Sequence, residues 1–170
     1  MQKIVTCLWF NKDAEAAMNF YADVFNGSPA KRQESKIVSI ARFPNTPMEG
    51  PAAGLEGKVA QGIVELEGQQ VMLFDGGPTF VFNEAASLVV SCETQEEVDY
   101  LWEKLSAVPE SEACGWLKDS FGVSWQIVPK ALGELMSDPD SEQSGRVMQA
   151  MMQMKKLDIA GLKQAAESKE

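Results

Sequence analysis

The chain has 170 residues, a net charge of −10 and no histidine. This length is enough for one domain or two small fused modules with a buried core, while the acidic charge argues against a nucleic-acid partner. The lack of histidine removes the commonest general base and metal ligand, so any catalysis would use carboxylate, lysine, tyrosine, cysteine or backbone groups.

The first half of the sequence predicts a strand, a helix and three further strands. Asp13 is a candidate N-cap for the helix, whose apolar residues recur at three- and four-residue spacing, and Gly27 is placed to end it. Glu67 and Gly68 fit the turn of a hairpin. The predicted segments are strands at 3–10, 30–43, 58–66 and 70–75, the helix between Asp13 and Gly27, and a Pro- and Gly-containing loop at 44–57.

The second half repeats this order. Thr94 is the expected cap of its helix, and a turn that opens with Asp119 and closes with Gly122 joins its last two strands. In the final strand, alternation directs Trp125 to one face and Gln126 to the other. The predicted segments are strands at 87–92, 115–118 and 123–128 and a helix at 95–106, with a further strand too weak to assign within 108–113.

The tail that follows is predicted to be helical and is rich in methionine. We expect helices at 130–136, 144–157 and 159–167, with a break at 137–140 and Asp158 as the last cap. We therefore divide the chain into a first module at 1–78, a second module at 79–129 and a helical C-terminal extension at 130–170, within one compact structural domain.

Three segments together resemble the vicinal oxygen chelate superfamily, which contains glyoxalases, bleomycin-resistance proteins and extradiol dioxygenases. They are Asp13-Ala-Glu-Ala-Ala-Met-Asn-Phe-Tyr21, Gly68 to Asp75, and Cys114 to Pro129. The turn Asp119-x-Phe-Gly-x-x-Trp125 and the tail Met-Gln-Met-Lys-Lys-Leu-Asp-Ile are most similar to the PhnB-like family, whose members carry the label 3-demethylubiquinone-9 3-methyltransferase. This resemblance implies an α+β fold in which paired βαβββ modules form a curled sheet cup.

The resemblance also implies where metal-using relatives would hold a divalent ion. Those positions correspond here to Thr6, Ser87, Gln126 and the segment 72–74. Neutral oxygens are weak ligands for a divalent ion, so we expect no metal and no cofactor. If a metal were held weakly, Cys7 and Asp75 would be the nearest additional ligands.

The methyltransferase label is tested by the junction of the first strand and helix. A typical S-adenosylmethionine-binding Rossmann domain has a glycine-rich loop there, whereas this chain reads Phe-Asn-Lys-Asp-Ala-Glu. We therefore expect the label not to describe the chemistry.

The expected function is metal-free binding of a small organic ligand of unknown identity in the cup, because natural pockets combine an apolar wall with a few aimed polar groups. The alternatives are an enzyme of the same superfamily (a lyase, a dioxygenase or the labelled methyltransferase) and a cup filled by its own side chains. Core packing is predicted for Trp9, Trp102 and Trp125, and the direction of Trp116 is undetermined. The candidate cup-lining residues are Thr6, Leu8, Phe74, Ser87, Val89, Ser124 and Gln126.

Location and partners follow from simpler features. The odd cysteine count (Cys7, Cys92, Cys114) suits a reducing compartment. The N-terminus lacks a signal-peptide layout, and no apolar run approaches membrane-spanning length. We expect a cytoplasmic homodimer with its methionine-rich tail near the interface, and no nucleic-acid or membrane partner.

Overall fold

The computed structural model describes residues 2–137 and 141–168, and it divides the chain into two compact units. The first unit ends at Phe82 and the second begins at Asn83. The division therefore falls four residues later than the module boundary predicted at 78/79. The tail from residue 130 belongs to the second unit.

The first unit follows the predicted βαβββ order. Its elements are β1 (Thr6–Phe10), α1 (Ala14–Asn26), β2 (Lys36–Arg42), β3 (Val59–Leu66) and β4 (Gln69–Asp75). The sheet has the order β1-β4-β3-β2, with β1 parallel to β4 and the other neighbours antiparallel. Glu67 and Gly68 form the β3–β4 turn with φ of 48° and 85°, as a tight hairpin turn of the primed type requires.

Helix α1 covers one face of this sheet. Met18 is fully buried, and its side chain lies so close to Gly62 of β3 that a Cβ there would come within 2.6 Å of it. Gly62 therefore allows the helix to approach the sheet closely. Apolar burial of this kind is worth roughly 1.5–3 kcal/mol for each large side chain.

The start of α1 is held by a distant carboxylate. Asp13 precedes the helix as predicted, but its side chain makes no capping hydrogen bond. Instead Asp75, at the end of β4 and 1% exposed, accepts hydrogen bonds from the backbone N–H of Ala14 at 2.9 Å and of Val59 at 2.9 Å. One buried side chain thus joins the starts of α1 and β3 to the end of β4.

The second unit contains three strands and four helices among its described residues. They are β5 (Leu88–Cys92), α2 (Gln95–Leu105), β6 (Trp116–Lys118), β7 (Ser124–Pro129), α3 (Lys130–Met136), α4 (Ser141–Met152) and α5 (Ile159–Glu167). The sheet order is β5-β7-β6, with β5 parallel and β6 antiparallel to β7. Within 108–113, where the sequence indicates a further weak strand, the chain instead forms a short 3-10 turn at Pro109–Ser111. This unit therefore follows a βαββ order.

Helix α2 starts as predicted, because Thr94 Oγ1 accepts the N–H of Glu97 at 3.2 Å. The helix packs Val98, Leu101 and Leu105 into the core, while Trp102 is only half-buried.

The tail helices share a small apolar core of their own. Met151 and Met154 pack against it, and the buried residues at its centre are Val147, Leu157, Leu162 and Ala166. The tail docks on the second unit where the N–H groups of Cys114 and Gly115 donate to the carbonyls of Met154 and Lys155, each at 2.8 Å.

The tail boundaries differ slightly from those predicted. Helix α4 starts at Ser141, three residues earlier than expected, and ends at Met152, five residues earlier than expected. Asp158 caps α5 as predicted, accepting from the N–H of Gly161 at 2.9 Å. Most of the break expected at 137–140 lies outside the described residues.

The α+β fold class is therefore confirmed, with two mixed sheets and a helical C-terminal segment. None of the described helices has both the length and the hydropathy needed to cross a membrane.

Candidate functional site

The candidate site in the second unit is the sheet face that points away from the apolar core. Residues paired across strands share a face, and Gln126 is paired with Val89 on one side and Trp116 on the other. The opposite face carries the row of Leu88, Trp125 and Leu117, and the last two are at most 2% exposed. We call the first of these surfaces the Gln126 face; its members are Ser87, Val89, Trp116, Lys118, Ser124 and Gln126.

Polar and apolar groups alternate across the Gln126 face. Gln126 Nε2 donates to Ser87 Oγ at 2.9 Å, so these two predicted residues do meet. Val89 beside them is 61% exposed. Trp116 completes the row and is half-buried. The sequence alone leaves its direction open because Trp116 lies close to a turn.

Ser124 lies on the same face and has an unusual environment. Its side chain is 2% exposed, and Oγ has no hydrogen-bond partner among the described residues. A buried hydroxyl without a partner costs free energy, and most such groups in proteins are satisfied by protein, water or a ligand. Ser124 Oγ is thus an unsatisfied hydroxyl enclosed beneath the Gln126 face, and a ligand reaches it only when the side chains that cover it move.

One charged side chain projects from the three strands of the second unit. Lys118 is paired with Ser124 in the sheet and therefore lies on the Gln126 face. Its ammonium group donates to the carboxylate of Glu84, which belongs to the segment leading into β5. The ion pair lowers the pKa of Glu84 below its ordinary value, mainly through the hydrogen bond from Lys118.

The turn between β6 and β7 is built around Asp119. One carboxylate oxygen accepts from the N–H groups of Phe121 and Val123 at 2.9 and 3.0 Å, and the other accepts from Trp125 Nε1 at 2.8 Å. Asp119 is 1% exposed. It therefore anchors Trp125 on the core side, and the alternation of β7 leaves Gln126 on the opposite face.

The predicted site residues of the first unit need a correction. Leu8 is paired with Leu73, which is paired with Gly62, and Gly62 faces Met18 of α1. Leu8, and Thr6 two residues before it, therefore lie on the helix-covered side of the sheet. The residues of β1 that face the helix are therefore the alternate set to the one predicted. Both faces of β1 carry apolar residues, so the sequence does not show which face meets the helix.

Phe74 lies on the other face of that sheet, together with Cys7 and Trp9. The Trp9 ring packs edge-to-face against Phe74 and Phe80, with ring centroids 4.9 Å apart in each pair, and Trp9 Nε1 donates to the Gly77 carbonyl at 2.9 Å. Phe80 is 63% exposed. The indole of Trp9 is thus part of a half-exposed aromatic cluster, where the sequence predicted core packing.

The residues at the superfamily's metal positions do not fit a divalent ion. Thr6 is on the helix-covered side, Ser87 and Gln126 hydrogen-bond to each other, and both carboxylate oxygens of Asp75 accept backbone N–H groups. The available donors are neutral oxygens, which bind divalent ions weakly. Within residues 2–137 and 141–168, no three His, Cys, Asp or Glu side chains come together as metal ligands.

Within the described residues, the first strand–helix junction also lacks the features of a dinucleotide- or S-adenosylmethionine-type loop. The connection from β1 to α1 is Asn11-Lys12-Asp13, without glycine, and both sheets are mixed. These residues do not fit the cofactor that methyl transfer would need.

The cysteines differ in environment. Burial raises the pKa of Cys92 to about 12, with a smaller contribution from the charge of Glu97. Partial burial raises the pKa of Cys7 as well. Neither thiol is therefore activated as a nucleophile at neutral pH.

Comparison with known proteins shows which family and which solved structures this chain is similar to. The family described as 3-demethylubiquinone-9 3-methyltransferase matches residues 2–128, so the methionine-rich tail, which contributed to the resemblance noted above, lies outside the match. The PhnB protein from Bacillus cereus is 40% identical, and the similarity covers 75% of this chain and 99% of that one with a TM-score of 0.58. Protein PA1353 from Pseudomonas aeruginosa is 20% identical over 76% of this chain and 98% of its own, with a TM-score of 0.56, and supports the fold alone. No curated protein matches the chain.

Proposed function

Because the chain belongs to the PhnB-like 3-demethylubiquinone-9 3-methyltransferase family, which has a glyoxalase-like fold, we propose that it binds a small organic molecule at the Gln126 face. The binding requires neither a metal ion nor S-adenosylmethionine. The ligand is held by hydrogen bonds from the neutral polar groups of this face and by contact with its apolar side chains.

The observation that carries this proposal is the buried, unpartnered Ser124 hydroxyl. Ser124 lies two residues from Gln126 on the same face of β7, and its Oγ has no partner among the described residues. A ligand oxygen or nitrogen that reaches this enclosed hydroxyl, once the side chains that cover it have moved, would satisfy it and recover the cost of its burial.

The neighbouring side chains support the same use. Trp116 and Val89 flank Gln126 in one cross-strand row and supply an apolar wall. Small-molecule sites typically pair such a wall with a few polar groups that fix orientation. Gln126 offers an amide carbonyl to a ligand, because its Nε2 is already directed at Ser87.

Methyl transfer and metal-dependent chemistry are disfavoured by the residues themselves. The β1–α1 connection and the donors at the superfamily's metal positions do not fit either group, as described above. The name of the family is therefore a poor guide to the activity of this chain.

We further propose that the protein is a cytoplasmic homodimer. Three free thiols suit a reducing compartment. On α4, Met148 and Met152 are 43% and 62% exposed and available for contact with a second copy. Light scattering should give twice the chain mass, and Met148→Gln with Met152→Gln should shift the mass toward the monomer; a monomeric wild-type protein would contradict the proposal.

Ser124→Ala separates binding from stability. Removing a buried hydroxyl that has no partner should leave the melting temperature unchanged or raise it, whereas ligand affinity should fall about threefold to tenfold for one lost hydrogen bond. Ser39→Ala is the matched control, because Ser39 is an exposed strand serine in the sheet of the first unit and is not part of the Gln126 face. The measurement is a thermal-shift screen with aromatic amines, glycopeptide drugs, quinones and phosphonates, followed by NMR titration of the hits.

Two results would count against the proposal. One is that no compound stabilises the protein, which would favour a face filled by its own side chains. The other is that hits bind Ser124→Ala as tightly as wild type and leave the Gln126 and Trp116 resonances unchanged. Turnover of a hit by the purified protein would favour the enzyme alternative.

A further inference from the structure

The charge pattern of the Gln126 face suggests which class of ligand it takes. The strands β5, β6 and β7 contain one charged residue, Lys118. Its side chain is 21% exposed, so the ammonium group is partly withdrawn from water. A cation in such a position needs an anionic or strongly polar partner to offset its desolvation.

The present partner of Lys118 comes from outside the sheet. Glu84 is part of the short segment before β5, where the N–H of Ala85 donates to Asn83 Oδ1 at 3.0 Å in a local turn. The Glu84 side chain is 59% exposed. An exposed carboxylate on a turn can leave the ion pair at little cost, because water solvates it readily.

We propose that the ligand of the Gln126 face is an organic carboxylate, and that its anionic group takes the place of Glu84 on Lys118. This inference rests on the proposed function, since it concerns the same face. Lys118 is paired with Ser124 in the sheet, so its side chain leaves the sheet from the same cross-strand row as the unpartnered hydroxyl. A charge-assisted hydrogen bond to Lys118 is stronger than the neutral bonds available elsewhere on this face.

Glu84 then acts as an internal competitor. While Glu84 is paired with Lys118, the ammonium group cannot bind an anionic ligand. The apparent affinity for such a ligand is therefore the intrinsic affinity multiplied by the fraction of molecules in which Lys118 is free. Removing the Glu84 charge should therefore tighten the binding of an anionic ligand. It should not affect a neutral ligand of the same shape, which does not need Lys118.

The experiment compares benzoate with benzamide, which share a ring and differ in charge. Each is titrated by NMR into wild type, Glu84→Gln and Lys118→Met, with Glu103→Gln as the matched control because Glu103 forms an exposed pair with Lys104. Benzoate should bind wild type more tightly than benzamide. Glu84→Gln should tighten benzoate about twofold to fivefold and leave benzamide unchanged, and Lys118→Met should remove the preference for benzoate. The control should behave as wild type.

The outcomes separate this inference from the function on which it rests. If benzamide binds at the Gln126 face as tightly as benzoate, or if Glu84→Gln leaves benzoate affinity unchanged, the carboxylate assignment is wrong while the binding function stands. If neither probe perturbs the Trp116 and Gln126 resonances, both proposals fail for ligands of this size. Spectra of Glu84→Gln without ligand verify that the variant is folded, so the test does not depend on Lys118→Met alone.

Discussion

Replacing Asp119 with alanine should strongly destabilise the second unit. The Asp119 carboxylate accepts hydrogen bonds from the N–H groups of Phe121 and Val123 and from the indole of Trp125. Alanine supplies no acceptor, and water reaches this place poorly because Asp119 is 1% exposed. The β6–β7 turn and the Trp125 side chain would both lose their anchor.

The size of the effect follows from the donors left behind. Val123 and Trp125 are 3% and 2% exposed, so their N–H groups cannot be resolvated without opening the turn. Each buried donor without a partner costs about 1–3 kcal/mol, so Asp119→Ala should lower the free energy of unfolding by about 4 kcal/mol. Asp119→Asn should cost about 2 kcal/mol, because an amide can still accept from the backbone but has no second acceptor for the indole.

Urea denaturation followed by circular dichroism and tryptophan fluorescence measures this loss. If the two units unfold in separate transitions, only that of the second unit should move. Asp99→Ala is the control, since Asp99 forms a half-exposed pair with Lys156 and should cost less than about 1 kcal/mol. The double variant Asp119→Asn with Trp125→Phe should lose less free energy of unfolding than the two single variants added together. The asparagine NH₂ group conflicts with the indole N–H of Trp125, and phenylalanine removes that N–H. A loss below about 1 kcal/mol for Asp119→Ala, or strict additivity in that pair, would refute the reasoning.

Three further predictions concern buried or partly buried groups. Asp75→Ala should lower the free energy of unfolding by about 3 kcal/mol, measured by urea denaturation, because it leaves the first amides of α1 and β3 without an acceptor. At pH 8, iodoacetamide should modify the exposed Cys7 and not the buried Cys92, whose pKa is about 12, as read by peptide mass spectrometry. The pKa of Glu112 is lowered mainly by the hydrogen bond from Ser106, so Glu112→Gln should cost about 1 kcal/mol at neutral pH. That difference should shrink as the pH falls below about 4.5, since the stabilisation by a carboxylate with a depressed pKa is lost on protonation in the folded state.

Each of these has a clear contrary result. Asp75→Ala with unchanged stability would mean that the two amides find other acceptors. Modification of Cys92 in the native protein at a rate close to that of Cys7 would show that β5 opens readily. A cost for Glu112→Gln that stays constant down to pH 2 would mean that the charge of Glu112 contributes nothing.

The fold was largely predictable from local patterns. Thr94 and Asp158 could be predicted as helix caps, and Glu67-Gly68 as a hairpin turn, because each of these features depends only on residues within a few positions along the chain. The α+β class and the family followed from the same local segments. The segment 108–113 forms no strand, and its local sequence explains why. Pro109 lacks the N–H that a strand ladder needs, and the segment shows no alternation of apolar and polar residues.

The candidate site was predictable only in part. Ser87, Val89, Ser124 and Gln126 were assigned to one face by alternation, and the structure places them there. Their role in binding stays a prediction. Thr6 and Leu8 were assigned to the wrong face, because β1 is apolar on both sides and alternation states which residues share a face, not which face meets the helix.

Sequence by itself thus determined the order of the elements, the family, and the neutral character of Gln126 and Ser87, the residues that the resemblance aligns with the metal positions of metal-using relatives in the superfamily. Tertiary structure alone decided that Asp75 caps a helix 61 residues away, that Trp116 and Lys118 join the Gln126 face, and that Ser124 is buried without a partner among the described residues. The physical reason is range. Caps, turns and alternation are set by neighbours along the chain, whereas strand register, burial and ion pairing depend on residues that come together only when the sheet forms.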